Sequence, residues 1–162
     1  MRMSRLAFAA VAAAVLAGCA TSNLKPGASR QDVIAGMGRP TAVVALPGGG
    51  ERLQYSGQPA GQYAWMADLD AAGRLVSLRQ VLNAADFGRI EIDRWTRGDI
   101  EREFGPPASI DRVASWNGPI LTYRWNEGPM MDRFYSVYLD GAGVVRRAHP
   151  SIELLPPQGD RD

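Results

Sequence analysis

The sequence predicts a small α+β fold of two related units in tandem, each a short helix or helix pair packed on an antiparallel sheet of about three strands. Three observations carry this expectation. A helix-sized pattern occurs twice, 67 residues apart. After each copy, apolar and polar residues alternate with the period of two expected of half-buried strands. A Leu-Asp-x-x-Gly turn signal then closes a hairpin in both halves, as Leu69-Asp70-Ala71-Ala72-Gly73 and Leu139-Asp140-Gly141-Ala142-Gly143.

Residues 1–18 stand apart from that plan. Arg2 and Arg5 form a positive start, and residues 6–16 are an uncharged run of eleven. As a helix that run spans about 17 Å, against a hydrocarbon core of about 30 Å. It suits a secretory signal peptide rather than a membrane span. Leu16-Ala17-Gly18-Cys19 follows and resembles the bacterial lipobox. That resemblance implies cleavage before Cys19, diacylglycerol on its sulfur and an acyl group on the new N-terminus. Several acyl chains anchor stably where one is marginal. Ala20 follows Cys19, and by resemblance to the usual sorting preference this favours the outer membrane over the inner. Residues 19–24 are the expected lipidated tether. Cleavage removes Arg2 and Arg5, so 18 basic side chains become 16 against 17 acidic ones. The mature chain carries no polybasic patch, and the lipid has to do the anchoring.

The first unit is expected at 25–82 and the second at 83–152. Ser29 matches Thr96, Asp32 matches Asp99, and Val33 matches Ile100. Met37, Gly38 and Pro40 match Phe104, Gly105 and Pro107. Ser or Thr caps a helix start, with an acid three residues on beside the positive end of the dipole. Val33/Met37 and Ile100/Phe104, each four apart, give a narrow buried stripe. Gly stops the helix in a left-handed turn and Pro prevents its continuation. Strand-like alternation follows at Leu53/Tyr55 and at Leu121/Tyr123/Trp125, then in the segments around Trp65 and Tyr135. Further strands are expected at 75–82 and 144–148. Residues 83–95 read as a linking helix or extended segment, and 153–162 as a disordered tail. Each unit alone is marginal in size, so the two are expected to pack together.

Composition excludes several chemistries. One Cys and one His cannot build a disulfide or a Cys/His zinc site. The formal charge of +1 gives no basic stripe for nucleic acid. His149, beside Pro150, is expected in an exposed loop after the last strand. Gly48-Gly49-Gly50 lacks the Lys-Ser/Thr of a phosphate loop and reads as a hairpin tip. The Asp68–Gly73 stretch has Arg79 where a calcium loop needs Glu. No residue is assigned to catalysis or to metal, no soluble cofactor or small-molecule substrate is expected, and the chain is expected not to be an enzyme.

The lipobox, Lys25-Pro26-Gly27, Asp32-Val33, Gly38-Arg39-Pro40 and the Leu-Asp-x-x-Gly hairpin together resemble the SmpA/OmlA (BamE-like) outer-membrane lipoproteins. The doubling is similar to the two-repeat architecture of the β-lactamase inhibitor protein. The second copy departs from the pattern, with Arg94-Trp95 where the family has Pro-Gly. The resemblance implies a lipid-anchored, periplasm-facing interaction module of the outer membrane that binds envelope proteins, with the barrel-assembly machinery as one such partner. An inhibitor of a periplasmic or extracellular enzyme is the alternative. Strand alternation puts Trp65, Ala67 and Leu69, with Tyr135, Val137 and Leu139, toward the helices. Met66, Phe134, Tyr138 and Arg124 then face the other way and are the partner-binding candidates. The competing assignment for them is the seam between the two units.

Overall fold

The computed structural model describes residues 24–129 and 131–153. Cys19 with Leu16, Ala17 and Gly18, and the tail from 154 onward, lie outside the described residues. The first half runs α1 (Arg30–Met37), β1 (Ala42–Ala45), β2 (Glu51–Ser56), β3 (Ala64–Leu69) and β4 (Leu75–Gln80). A four-residue helix, α2 (Ala84–Phe87), leads into the second half. There follow α3 (Arg97–Phe104), β5 (Ser109–Asp111), β6 (Ile120–Asn126), β7 (Asp132–Leu139) and β8 (Val145–Ile152). The sheets are two antiparallel meanders of four strands each, ordered β1-β2-β3-β4 and β5-β6-β7-β8. The fold is α+β with strands outweighing helices. The expected three strands per half become four, because β1 and β5 add a short edge strand that no alternation announces.

Local chemistry places both longer helices. Ser29 Oγ accepts from the Asp32 N–H while the Asp32 carboxylate accepts from the Ser29 N–H, and Thr96 and Asp99 repeat this reciprocal box. Gly38 and Gly105 end the helices at φ 83° and 78°. Their ψ values, −166° and −169°, lie in an extended region open essentially to Gly alone, rather than in the left-handed helical turn expected from sequence. The turn aspartates correspond too: Asp70 Oδ1 accepts from the N–H of Ala72 and Arg74, and Asp140 Oδ1 from those of Ala142 and Val144. Even the irregularity of register falls at matching places, at Asp68/Leu69 and Tyr138/Leu139. Where Gly27 takes φ 92° before α1, Asp93 takes φ 65° before α3, so the departure at Arg94-Trp95 keeps a positive-φ turn one residue earlier.

The Thr96 N–H and hydroxyl, with Arg102 alongside, hold the Asp99 carboxyl below its ordinary pKa. A folded pKa below the unfolded one contributes stability above about pH 4, lost as pH falls through the folded value. Asp99→Asn is therefore expected to flatten the acid limb of stability below about pH 4. Urea unfolding across that range checks it, and an unchanged limb counts against the capping role.

Packing stacks the elements in layers. α1 lies on one face of the first sheet, where Val33 meets Leu53, Tyr55, Ala67, Leu69 and Leu75. The other face of that sheet supplies Ala64 and Met66 to a second core with Phe87, Ile100, Phe104, Leu121, Tyr123 and Val137. Thus α2 and α3 are held between the two sheets. β2 shows the consequence, since Arg52, Leu53, Gln54 and Tyr55 are all buried, on both faces.

Candidate partner-binding face

Register fixes which side chains share the outer face of the second sheet, because directly opposed residues point the same way. One row runs Asp111, Ile120, Tyr138, Arg147; the next Ser109, Thr122, Ser136, His149; the third Arg124, Phe134, Ser151. Phe134 and Tyr138 are half-buried there, and Arg147 is exposed. Trp116, from the loop between β5 and β6, closes over one end. Its indole Nε1 donates to the Leu139 carbonyl at 2.7 Å, and its ring meets Tyr138 edge-on at 5.3 Å. The Arg147 guanidinium sits 5.5 Å from the Trp116 ring and 5.4 Å from Tyr138, and the His149 ring stacks on Tyr138 at 5.3 Å.

The four candidates therefore separate. Phe134 and Tyr138 lie on the uncovered face, as the alternation predicts. Met66 does not join them, because it is fully buried between the halves. It does point away from α1, but the second half covers that side. Arg124 has the predicted orientation but is committed within the molecule: its Nε donates to Glu153 at 2.7 Å, and its Nη1 to the carbonyls of Pro59 and Ala60 at 2.9 and 2.8 Å. Gln58 adds to this tie, with Nε2 donating to the Arg124 carbonyl and Oε1 accepting its N–H. Arg124 thus clamps the loop between β2 and β3 across the second sheet. Glu153, assigned to the loose tail from sequence, is ordered by the same contact.

His149 also departs from expectation. It lies within β8, which continues through Pro150 to Ile152. β8 is an edge strand, where Pro removes no ladder hydrogen bond, so Pro150 does not end it. Trp116 was not legible as a site residue, since it stands in a loop with no periodicity. Arg52 and Gln54 were missed for another reason: their partners are carbonyls of α3, about fifty positions away.

Elsewhere the surface has a groove of about 570 Å³ between β1 and α3, lined by Thr41, Val44, Gln54, Arg97, Pro107 and Ile110. Arg97 there is paired with Glu101 on its own helix, and Arg102 with Asp99. Among the described residues no group of His, Cys, Asp and Glu is arranged to hold a metal ion. No described helix is long and apolar enough to cross a membrane. Tyr123, whose phenol is pushed up by burial, donates to the Gly105 carbonyl at 2.8 Å and so ties α3 to its sheet.

No family model matches the chain, and no curated protein matches it. Among solved structures it is similar to a DUF4309 family protein (YjgB) from Bacillus subtilis at 14% identity, over 78% of this chain and 79% of that one. The TM-score is 0.29, a likeness too remote to carry any function across.

Proposed function

We propose that this chain is a lipid-anchored, periplasm-facing protein-interaction module of the outer membrane, acting in the assembly or maintenance of envelope proteins. In this reading its two halves are tandem repeats of the SmpA/OmlA (BamE-like) unit. The observation that carries the reading is the uncovered outer face of the second sheet. Phe134, Tyr138, Trp116 and Arg147 give it the aromatic and Arg enrichment of an interface core. The matched capping boxes, turn aspartates and register irregularities support the tandem reading.

The test is crosslinking in cells from a photoreactive residue at Ser136, in the middle of that face, followed by mass spectrometry. Envelope or barrel-assembly proteins are the expected products; a single soluble hydrolase supports the inhibitor reading instead. Phe134→Ala and Tyr138→Ala should each weaken capture of the identified protein by tenfold or more, about 1.4 kcal/mol, with little change in thermal midpoint. In the same cells Cys19→Ala should abolish palmitate labelling. Labelling that persists in that variant removes the lipobox from the argument.

A further inference from the structure

The two sheets treat their outer faces differently, and the difference identifies what the second one is suited to receive. On the first sheet that face is occupied by α3. Arg52 stands there with Asp68 opposite it, and reaches out to the Arg102 carbonyl at 3.0 Å and the Glu103 carboxylate at 3.2 Å. Arginine on this face is thus the group that takes the carboxylate and terminal carbonyl of a docking helix. The second sheet has no further helix of the described chain on it. Its outer face carries Arg147, and among the described residues Arg147 has no ion pair.

The described carboxylates of the second sheet and its turns have partners elsewhere in the molecule. Asp140 is paired with Arg146, Glu153 with Arg124, and Asp132 accepts from Asn126. Asp111 accepts from the Ser109 hydroxyl. The Arg147 guanidinium is meanwhile braced against Trp116 and Tyr138. Arg held against aromatic rings loses part of its rotamer freedom, and its N–H donors remain in a planar fork that matches a carboxylate bidentately. A guanidinium with no ion partner among the described residues, preorganised by two rings, is suited to an anion from outside.

We propose that Arg147, braced by Trp116 and Tyr138, is the receptor for a carboxylate on an acidic segment of a protein partner, which docks on the outer face of the second sheet as α3 docks on the first. This rests on the interaction-module reading and names the chemistry of its partner. The partner presents Glu or Asp at the centre of its contact surface, flanked by apolar groups that cover the half-buried Phe134.

The test uses the mature protein and two tetrapeptides acetylated at the N-terminus and amidated at the C-terminus, Ala-Glu-Glu-Ala and Ala-Gln-Gln-Ala, with inorganic phosphate as a third probe. NMR follows the Arg147 Nε–H and the Trp116 indole N–H during titration. The acidic peptide should shift both resonances saturably, and the amide peptide should not. Arg147→Gln should weaken the acidic peptide about tenfold or more while leaving the remaining spectrum in place. Arg147→Lys, which keeps charge without the fork, should fall between. Equal shifts at all exposed arginines, or full binding by Arg147→Gln, overturn the proposal. Phosphate binding without binding of the acidic peptide also overturns it, because the receptor would then serve another anion. Failure here leaves the crosslinking outcome at Ser136 untouched, whereas an acidic-peptide site on a face that crosslinks to no protein sinks the interaction-module reading alone.

Discussion

Phe87→Ala is expected to destabilise the protein by about 3–5 kcal/mol, the largest effect of any single truncation here. Phe87 belongs to a helix of only four residues, yet its ring is the centre of the second core. It stacks on Tyr135 at 4.0 Å with an interplanar angle of 2°, and meets Phe104 at 5.0 Å and Trp125 at 5.6 Å. Removing the ring leaves a hole bounded by four other aromatics, Tyr135, Phe104, Trp125 and Tyr123, none of which can collapse into it without leaving its own backbone position. The helix is too short to hold itself together by propensity. Its start is fixed by Asn83, whose Oδ1 accepts from the Asp86 N–H, and its end by Phe87 itself. Truncation should therefore also release the segment that joins the halves. Chemical denaturation should give the loss, and hydrogen exchange should give the location, with protection falling first at residues 83–89. A loss under about 1.5 kcal/mol would mean that the aromatic cluster repacks, and the second core is looser than its geometry indicates.

What the sequence made legible follows a physical boundary. Ser29 with Asp32 and Thr96 with Asp99 could be read directly, because a capping box is closed by residues three apart. Asp70 and Asp140 were equally legible, since an aspartate that accepts from its own turn needs no distant partner. The inward side of the sheets, Ala67 and Leu69 with Val137 and Leu139, followed from alternation alone. What alternation cannot supply is the identity of the covering layer. Met66 and Phe134 both point away from their own helix in the sequence reading. One is covered by the second half and the other is not, which only tertiary packing decides. β1 and β5 escaped notice because Ala-Val-Val-Ala and Ser-Ile-Asp are too short to display a period. Of the candidate face, Phe134 and Tyr138 were legible, whereas Trp116 depends on a loop folding back and Arg147 gains its meaning from the rings around it.

This layering also explains why the two outer faces differ in polarity. A face destined to hold α3 inside the molecule can bury charge, provided every donor and acceptor is matched. Arg52 and Gln54 do this with the last carbonyls of α3, groups that no helix can satisfy from within. A face that no further element of the described chain covers has to remain in contact with water. Ser109, Thr122, Ser136 and Ser151 between the aromatics of the second sheet meet that requirement.

Arg52→Ala is expected to cost about 2–4 kcal/mol and to uncouple the two halves. The side chain is 6% exposed. Its Nε and Nη2 hold both oxygens of Asp68 at 2.6 and 2.9 Å, and Nη1 reaches the Arg102 carbonyl and Glu103 across the seam. Removal leaves two carboxylates and a helix-terminal carbonyl without their shared donor. The cost stays below that of a fully buried pair because Asp68 and Glu103 retain 19% and 15% of their exposure, and Glu103 keeps weaker contacts with Arg89 and Arg102. Lys at this position keeps the charge but cannot span three acceptors in one plane, so Arg52→Lys should lose roughly half as much. Replacing the whole group, Arg52→Met with Asp68→Asn and Glu103→Gln, should recover most of the stability, since no buried charge is then left unpaired. The decisive measurement is the shape of the unfolding curve. If Arg52 couples the halves, its truncation should broaden the urea transition, with Trp65 reporting an earlier midpoint than Trp125. A single transition that shifts without broadening would instead assign the coupling to Met66 and Phe104, and the apolar seam would hold the halves together without the ion pair.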